Sequence, residues 1–140
     1  MGPATEDDTA RAGAPVVWIV DAEHWPRASL RAELLERGYE AIGFEGARDA
    51  VLALALGRPR RPDLVVVELA GQTAELPSLK ALLRARAPAI GVGGALEWGA
   101  EPVKSLAWAA ELHRPVTVGA IADAVEVLAA RSVPASPRAP

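Results

Sequence analysis

The stretch Pro62-Asp63-Leu64-Val65-Val66-Val67-Glu68-Leu69 holds four consecutive aliphatic residues, three of them β-branched, and an acid where the run ends. A continuous apolar run of this kind, entered through Pro and Asp and followed by Gly71, is typical of a strand buried on both faces, as in a parallel sheet. In open α/β sheets, ligands and chemistry lie at the carboxyl ends of the strands. Glu68 is therefore the first candidate for a functional residue.

Composition favours one globular domain and excludes several classes of protein. The 140 residues are 51% hydrophobic and 24% charged, carry a net charge of −3 and include no cysteine. This length leaves room for one domain with a core, and no apolar run approaches the ~18 residues of a membrane helix. The negative charge argues against nucleic-acid binding, and the lack of cysteine excludes disulfides, thiolate catalysis and Cys-ligated metals. Since no signal peptide precedes the first strand, we expect a cytoplasmic protein without membrane insertion.

The rest of the chain alternates strand patterns with helix patterns. A second buried run, Val16-Val17-Trp18-Ile19-Val20, ends in Asp21 and repeats the arrangement of an acid at the carboxyl end of a strand. Three further strands are predicted over 40–44, 89–92 and 110–113. Helices are predicted over 26–37, 49–56, from a Ser78 cap to Pro88, over 102–108 and over 118–130.

Alternation of five strands with five helices requires crossover connections and therefore a parallel sheet. The predicted class is α/β, with one doubly wound five-stranded sheet between two layers of helices. Residues 15–131 form this domain. The stretches 1–14 and 132–140 are predicted to be a disordered leader and a disordered tail, because they are rich in small and polar residues and have no periodicity.

Four motifs in this order resemble the receiver domain of bacterial two-component response regulators. They are Val20-Asp21-Ala22-Glu23, the stretch 62–69, Pro88-Ala89-Ile90-Gly91-Val92-Gly93-Gly94 and Arg114-Pro115, and the resemblance covers about residues 15 to 130. It implies the flavodoxin-like strand order 2-1-3-4-5, in which the carboxyl ends of the first and third strands lie side by side.

The resemblance also implies a phosphorylation pocket, in which most residues are changed here. Receivers use an acidic pair and a third-strand Asp to hold Mg²⁺, and this Asp becomes the acyl phosphate. A hydroxyl residue and a Lys bind the phosphoryl oxygens. In this chain Asp21 keeps one acid of the pair, Ala22 replaces the other, and Glu68 stands in place of the nucleophilic Asp. Gly93 replaces the hydroxyl residue and Arg114 replaces the Lys.

These changes predict an atypical, receiver-like signalling module that is not an enzyme and is not phosphorylated in the usual way. Glu68 is one methylene longer than Asp, and a displacement of about 1 Å can cost on the order of 100-fold in an aligned reaction. No catalytic residue is assigned, and Asp21 and Glu68 are only weak candidates for holding a metal such as Mg²⁺, so no cofactor is expected. We predict that Arg114 pairs with Glu68, or with Asp21, and holds one conformation. The alternative is that Glu68 and Arg114 both reach into solvent.

Protein partners, in signalling or in cell organisation, are the expected ligands. In receivers the fourth helix, fifth strand and fifth helix commonly form the partner-binding face, and Trp98, Trp108 and Glu111 are the candidates for it here. Glu111 stands where the family often has a switching aromatic. Aromatic residues anchor many interfaces, but large rings are equally common in cores, so the role of both tryptophans is left open. Whether the chain forms a homodimer is also left open.

Two other functions remain as alternatives. One is a Mg²⁺-dependent receiver that is phosphorylated on Glu68, and the other is a sensor that binds a small molecule near Gly93-Gly94. His24 and His113 each stand without a spaced His or Cys partner, so surface or strand-end positions are favoured over metal ligation.

Overall fold

The computed structural model describes residues 13–57 and 60–132. Most of the predicted leader (1–14) and tail (132–140) lies outside these residues, so their predicted disorder is not addressed. Within the described ranges, Gly13 and Ala14 belong to a turn before the first strand, and Ser132 is the last residue of the final helix.

Five parallel strands form one sheet, as predicted. Their order across the sheet is β2-β1-β3-β4-β5, and each neighbouring pair is parallel. The strands are β1 (Val16–Val20), β2 (Glu40–Phe44), β3 (Leu64–Glu68), β4 (Ala89–Gly93) and β5 (Ala110–His113).

Strand β3 runs through the centre of the protein and is buried at every position. Val65 and Val67 face one hydrophobic cluster, whereas Leu64 and Val66 face the other. Because both faces of the strand are covered, apolar residues are needed at consecutive positions and not only at alternate ones. This explains why the sequence from Leu64 to Val67 is continuously aliphatic.

Helices cover both faces of the sheet and give the three predicted layers. The helices α1 and α6 pack on one face, and α2, α3, α4 and α5 pack on the other. Their bounds are α1 (His24–Glu36), α2 (Ala47–Leu56), α3 (Leu76–Arg84), α4 (Ala95–Trp98), α5 (Glu101–Lys104) and α6 (Val118–Ser132). Along the described chain, no helix is both long enough and apolar enough to cross a membrane.

The prediction of five helices is wrong, because the described residues form six. In place of one helix over 102–108, the chain forms the two short helices α4 and α5. The amide of Gly94 donates to Glu97 Oε1 at 2.7 Å, which stabilises a first turn ahead of the predicted start. Pro102 then lies in the first turn of α5, where its missing N–H costs nothing, and Trp108 follows after the helix has ended.

The predicted Ser78 cap of α3 is also wrong. This helix begins at Leu76, and Pro77 occupies its first turn, so Ser78 lies inside the helix. Proline is favoured at that position because its φ angle already suits a helix.

Candidate functional site

Asp21 and Glu68 lie beside each other at the carboxyl edge of the sheet. Val20 is opposite Val67 in the register between β1 and β3. Asp21 directly follows Val20, and Glu68 directly follows Val67 as the last residue of β3. Both acids are buried: Asp21 is 5% exposed and Glu68 is 9% exposed. Two carboxylates are thus held close together, away from most of the solvent.

Arg114 brings a positive charge to these acids from the edge of the sheet that β5 forms. It follows β5, and its amide donates to the carbonyl of Gly93 at the end of β4. Because β4 lies between β3 and β5, the Arg114 side chain reaches across the end of β4 to meet Glu68. A long side chain is needed at this position to span two strands.

Arg114 and Glu68 form an ion pair, as one of the sequence-based hypotheses predicts. Arg114 Nε donates to Glu68 Oε1 at 3.1 Å, and Arg114 Nη2 donates to the same oxygen. The Arg114 side chain is 41% exposed and that of Glu68 is 11% exposed, so water reaches the pair mainly at the guanidinium. The alternative, that both side chains reach into solvent, is wrong for Glu68.

The electrostatics of the pocket are unfavourable for a second negative charge. Burial raises the pKa of Asp21, and the charge of Glu68 raises it further, although the hydrogen bond from the Glu23 amide and the charge of Arg114 oppose this. The pKa of Arg114 is raised chiefly by its hydrogen bond to Glu68, so Arg114 is charged at every physiological pH. Arg114 therefore acts on Glu68 through hydrogen bonds and on Asp21 only through its charge.

Arg27 supports the backbone of this site, a role that the sequence did not suggest. Its Nη1 donates to the carbonyl of Asp21 at 2.7 Å. The side chain crosses Gly43, where a Cβ would lie 3.0 Å from both Cγ and Cδ of Arg27. A larger residue at position 43 would press on the Arg27 side chain, and nothing in the spacing of the two residues indicates their contact.

The space above Gly93 is filled. A Cβ at this position would lie 3.0 Å from Leu69 Cδ1 and 3.3 Å from the Cβ atoms of Leu69 and Glu97. Leu69 is completely buried. A Cβ at position 93 would therefore press on Leu69, which would have to give by a few tenths of an ångström. The sequence placed Leu69 only at the end of a strand. Neither of the two pockets described at this edge is lined by Gly93 or Gly94, so the small-molecule alternative gains no support.

Gln72 is a second buried residue that sequence reasoning missed. It is 1% exposed; its Nε2 donates to the Glu45 carbonyl at 3.0 Å, and its Oε1 accepts from the Ala47 amide at 2.9 Å. The amide side chain thereby caps the first turn of α2 from the loop after β3. The sequence around Gln72 indicates only a polar loop.

Two pockets lie at this edge of the sheet. The first is open and lies between the ends of β1 and β3. The second is narrower and lies under Arg114, against Val116 and Val118. Among the described residues, no three His, Cys, Asp or Glu side chains are grouped so that they could hold a metal ion. The open pocket is lined by Asp21, Ala22, Glu23, Pro26, Glu68, Ala70 and Gly71.

The three candidates for a partner-binding face separate into core and surface. Trp98 is 5% exposed, donates from Nε1 to the Leu112 carbonyl at 3.0 Å, and covers Gly91 so closely that a Cβ there would lie 2.7 Å from its ring. Its ring belongs to the core and is not available to a partner, which corrects its assignment to that face. Trp108 is half-buried and Glu111 is exposed, so the prediction stays open for these two residues.

Neither histidine belongs to the pocket. His24 lies at the start of α1 with its ring edge-on to Trp25, at a centroid distance of 5.0 Å. The His113 ring contacts that of Trp98 in a tilted arrangement, at a centroid distance of 5.4 Å. Both are exposed, which agrees with the favoured interpretation of each as a surface histidine.

Comparison with known proteins gives the class of fold. No protein-family model matches the sequence, and the search of curated proteins found no match. A response regulator receiver domain from Methylobacillus flagellatus is similar in structure, with 18% identity and a TM-score of 0.65 over 83% of this chain and 99% of that one. A receiver protein from Burkholderia phymatum has 19% identity and a TM-score of 0.67 over 88% and 98% of the two chains.

The N-terminal domain of a three-domain protein from Carboxydothermus hydrogenoformans is similar too. This response regulator, which also has a sensory box and a GGDEF domain, shares 17% identity and a TM-score of 0.69 over 85% of this chain and 99% of that domain. At such identities the likeness concerns the fold alone. The chain has the fold of response regulator receiver domains.

Proposed function

We propose that this chain is an atypical receiver-like signalling module that acts through protein-protein contacts without being phosphorylated. The single observation that carries the proposal is the ion pair of Arg114 and Glu68. Two guanidinium donors, Nε and Nη2, bind one oxygen of Glu68, the carboxylate that stands in place of a phosphorylated Asp.

The ion pair opposes phosphoryl transfer to Glu68. A carboxylate that attacks a phosphorus atom must present a free oxygen in line with the leaving group. Glu68 Oε1 accepts two charge-assisted hydrogen bonds, which are stronger than neutral ones. Because the two oxygens of a carboxylate share one negative charge, these bonds lower the nucleophilicity of the whole group. A phosphoryl group on Oε1 would have to displace Arg114 from that oxygen.

The other parts of the pocket act in the same direction. Ala22 supplies no carboxylate for a metal ion, Gly93 supplies no hydroxyl group, and Leu69 lies so close to Gly93 that an added Cβ would press on it. With no group that changes its partner on phosphorylation, the pocket favours a single conformation. A single conformation suits a module that presents a constant surface, and Trp108 and Glu111 remain candidates for such a surface.

The proposal is tested by the intact mass of the protein after incubation with acetyl phosphate and MgCl₂. We expect no gain of a phosphoryl group, while an active receiver domain treated in parallel gains one. The phosphoacceptor alternative predicts a mass gain in the wild type that is lost in Glu68→Gln, and this outcome would overturn the proposal.

The interaction part of the proposal has its own test. Proteins captured from a lysate of the source cells should be the same with and without acetyl phosphate and MgCl₂. Capture should weaken in Trp108→Ala or Glu111→Lys, whereas Lys80→Ala on the exposed side of α3 serves as a control. Capture that requires the phosphodonor would contradict the proposal.

A further inference from the structure

We propose that the open pocket between β1 and β3 binds a basic side chain, lysine or arginine, of a protein partner. The inference rests on the proposed interaction function and adds the chemistry of the partner and the place where it binds. It is argued from a buried carboxylate with an open acceptor, from the charge of the pocket and from its apolar walls.

The buried carboxylate is Asp21. Its Oδ1 accepts a hydrogen bond from the Glu23 amide at 2.9 Å, and no described group donates to its Oδ2. Every fully buried side-chain oxygen in the described part of the chain has a partner, so Oδ2 must be in contact with solvent. Asp21 lines the open pocket, through which solvent reaches it. A carboxylate that is 5% exposed thus keeps one acceptor position that a cationic donor can fill.

The charge of the pocket remains negative despite the neighbouring arginines. Three carboxylates line it, those of Asp21, Glu23 and Glu68. Arg114 binds Glu68, whereas Arg27 donates its hydrogen bond to the backbone carbonyl of Asp21 and not to the Asp21 carboxylate. A cation in the pocket would lower the repulsion between Asp21 and Glu68, and the net charge of −3 favours approach of a basic partner.

The walls of the pocket fit an organic cation better than a metal ion. The described acids do not group into a metal site, and Glu68 Oε1 is already engaged. Ala22, Pro26 and Ala70 line the pocket with apolar surface, against which the methylene groups of a lysine or arginine can pack.

An exposed aromatic residue is the neighbour in sequence of a residue that lines this pocket. Trp25 immediately precedes the lining residue Pro26 and is 76% exposed, which is unusual for so large an apolar side chain. Tryptophan is a frequent anchor of interfaces and the strongest aromatic partner for cations. We assign to Trp25 the contact with the part of the partner that flanks the basic side chain.

The test is a titration followed by amide NMR spectra of the ¹⁵N-labelled full chain. Three probes are used: the tripeptide acetyl-Ala-Arg-Ala-amide, the same peptide with neutral citrulline in place of arginine, and MgCl₂ alone. We expect the arginine peptide to shift the amides of Ala22, Glu23, Trp25 and Gly71, and the citrulline peptide to leave them unchanged.

Variants assign the binding to the proposed carboxylates. Asp21→Asn should weaken the binding of the arginine peptide by about tenfold or more. Substitution of the exposed Glu23, as Glu23→Gln, should weaken this binding by about two- to fivefold. Glu36→Gln, at the distant end of α1, should bind as the wild type does. Trp25→Ala should weaken binding without changing the preference for arginine, and melting curves of each variant verify that it is folded.

The inference is wrong if the arginine and citrulline peptides shift the same amides equally, if neither peptide shifts them, or if MgCl₂ alone shifts them and displaces the peptide. These outcomes leave the proposed function intact as long as acetyl phosphate adds no phosphoryl group. A mass gain with acetyl phosphate would instead contradict the proposed function, whatever the peptides do.

Discussion

Arg114 donates from both Nε and Nη2 to a single oxygen, Oε1, of Glu68. The two residues lie 46 positions apart in the chain. Glu68 ends β3 and Arg114 follows β5, and these two strands are not neighbours in the sheet. Their contact joins β3 to the segment after β5 across the end of β4. Glu68, which stands in place of a nucleophile, thereby serves as a structural hydrogen-bond acceptor.

Removing the arginine should destabilise the fold. We expect Arg114→Gln to lower the free energy of unfolding by about 1–2 kcal/mol at neutral pH, because Glu68 would stay buried beside Asp21 without its donors. The exposed Arg84→Gln on α3 is the control and should change stability by less than about 0.5 kcal/mol. Urea denaturation measures both, and equal effects of the two substitutions would show that the ion pair does not contribute.

The pH dependence of stability should carry the signature of Asp21. Its pKa is raised in the folded protein above the ordinary value of 3.8, chiefly by burial, so the folded state holds this proton more tightly than the unfolded state. Protonated Asp21 therefore contributes to the free energy of unfolding. This contribution is fully present below pH 3.8 and is lost as the pH rises through the pKa that Asp21 has in the folded protein.

Asp21→Asn removes this titration and keeps an oxygen that can accept from the Glu23 amide. The stability of Asp21→Asn relative to the wild type should therefore increase as the pH is raised from about 3 to about 7. Urea denaturation at several pH values tests this. Glu36→Gln is the control, because the carboxylate that it removes is exposed. A relative stability that stays constant, or that falls with pH, would exclude the proposed environment of Asp21.

Leu69 and Gly93 should be energetically coupled. Gly93→Ser should destabilise by about 1–3 kcal/mol, because its Cβ would press on Leu69. Leu69→Ala alone should cost about 2–4 kcal/mol as a large-to-small change in the core. In the Leu69→Ala background, Gly93→Ser should cost at least about 1 kcal/mol less than in the wild type.

A neighbouring glycine provides the control for this cycle. Gly94→Ser meets only the flexible end of Glu97 and places serine at the N-cap of α4, so it should be nearly neutral. Strict additivity of Gly93→Ser and Leu69→Ala would mean that Leu69 does not fill the space above Gly93.

Gln72 should matter more for stability than its place in a polar loop suggests. Gln72→Ala removes a buried donor and a buried acceptor and leaves the Ala47 amide without a partner, so a loss of about 1–3 kcal/mol is expected. Hydrogen exchange of the Ala47 amide should become faster. The adjacent, exposed Thr73→Ala should affect neither measurement, and a Gln72→Ala variant that behaves in the same way would contradict the capping role.

Much of the fold could be predicted because buried parallel strands leave a strong signal in the sequence. The aliphatic run from Leu64 to Val67 and the run from Val16 to Val20 need apolar residues at every position, and few other structures share that need. The region from Gly94 to Trp108 was predicted less well. Two four-residue helices are too short for helical periodicity, and the hydrogen bond from the Gly94 amide to Glu97 that starts α4 cannot be told from ordinary loop chemistry.

The site could be predicted in part. Asp21, Glu68 and Arg114 each stand at the end of a strand, so a strand order was enough to bring them together. Contacts that side chains make with the backbone of another element have no such rule, and for this reason the roles of Leu69, Gln72 and Arg27 were missed. Trp98 was placed on a partner-binding face because the sequence does not indicate that Gly91 leaves space for its ring.

The most direct test of the central claim is the NMR signal of the Arg114 Nε–H group in the presence of acetyl phosphate and MgCl₂. This proton should be protected from exchange by Glu68 Oε1, and it should disappear from the spectrum in Arg114→Gln. If the pocket is held in one state by the ion pair, the shift and exchange rate of this signal will not change when the phosphodonor and metal are added. A new shift or rapid exchange under those conditions, together with a gain of one phosphoryl group in the intact mass, would contradict the account.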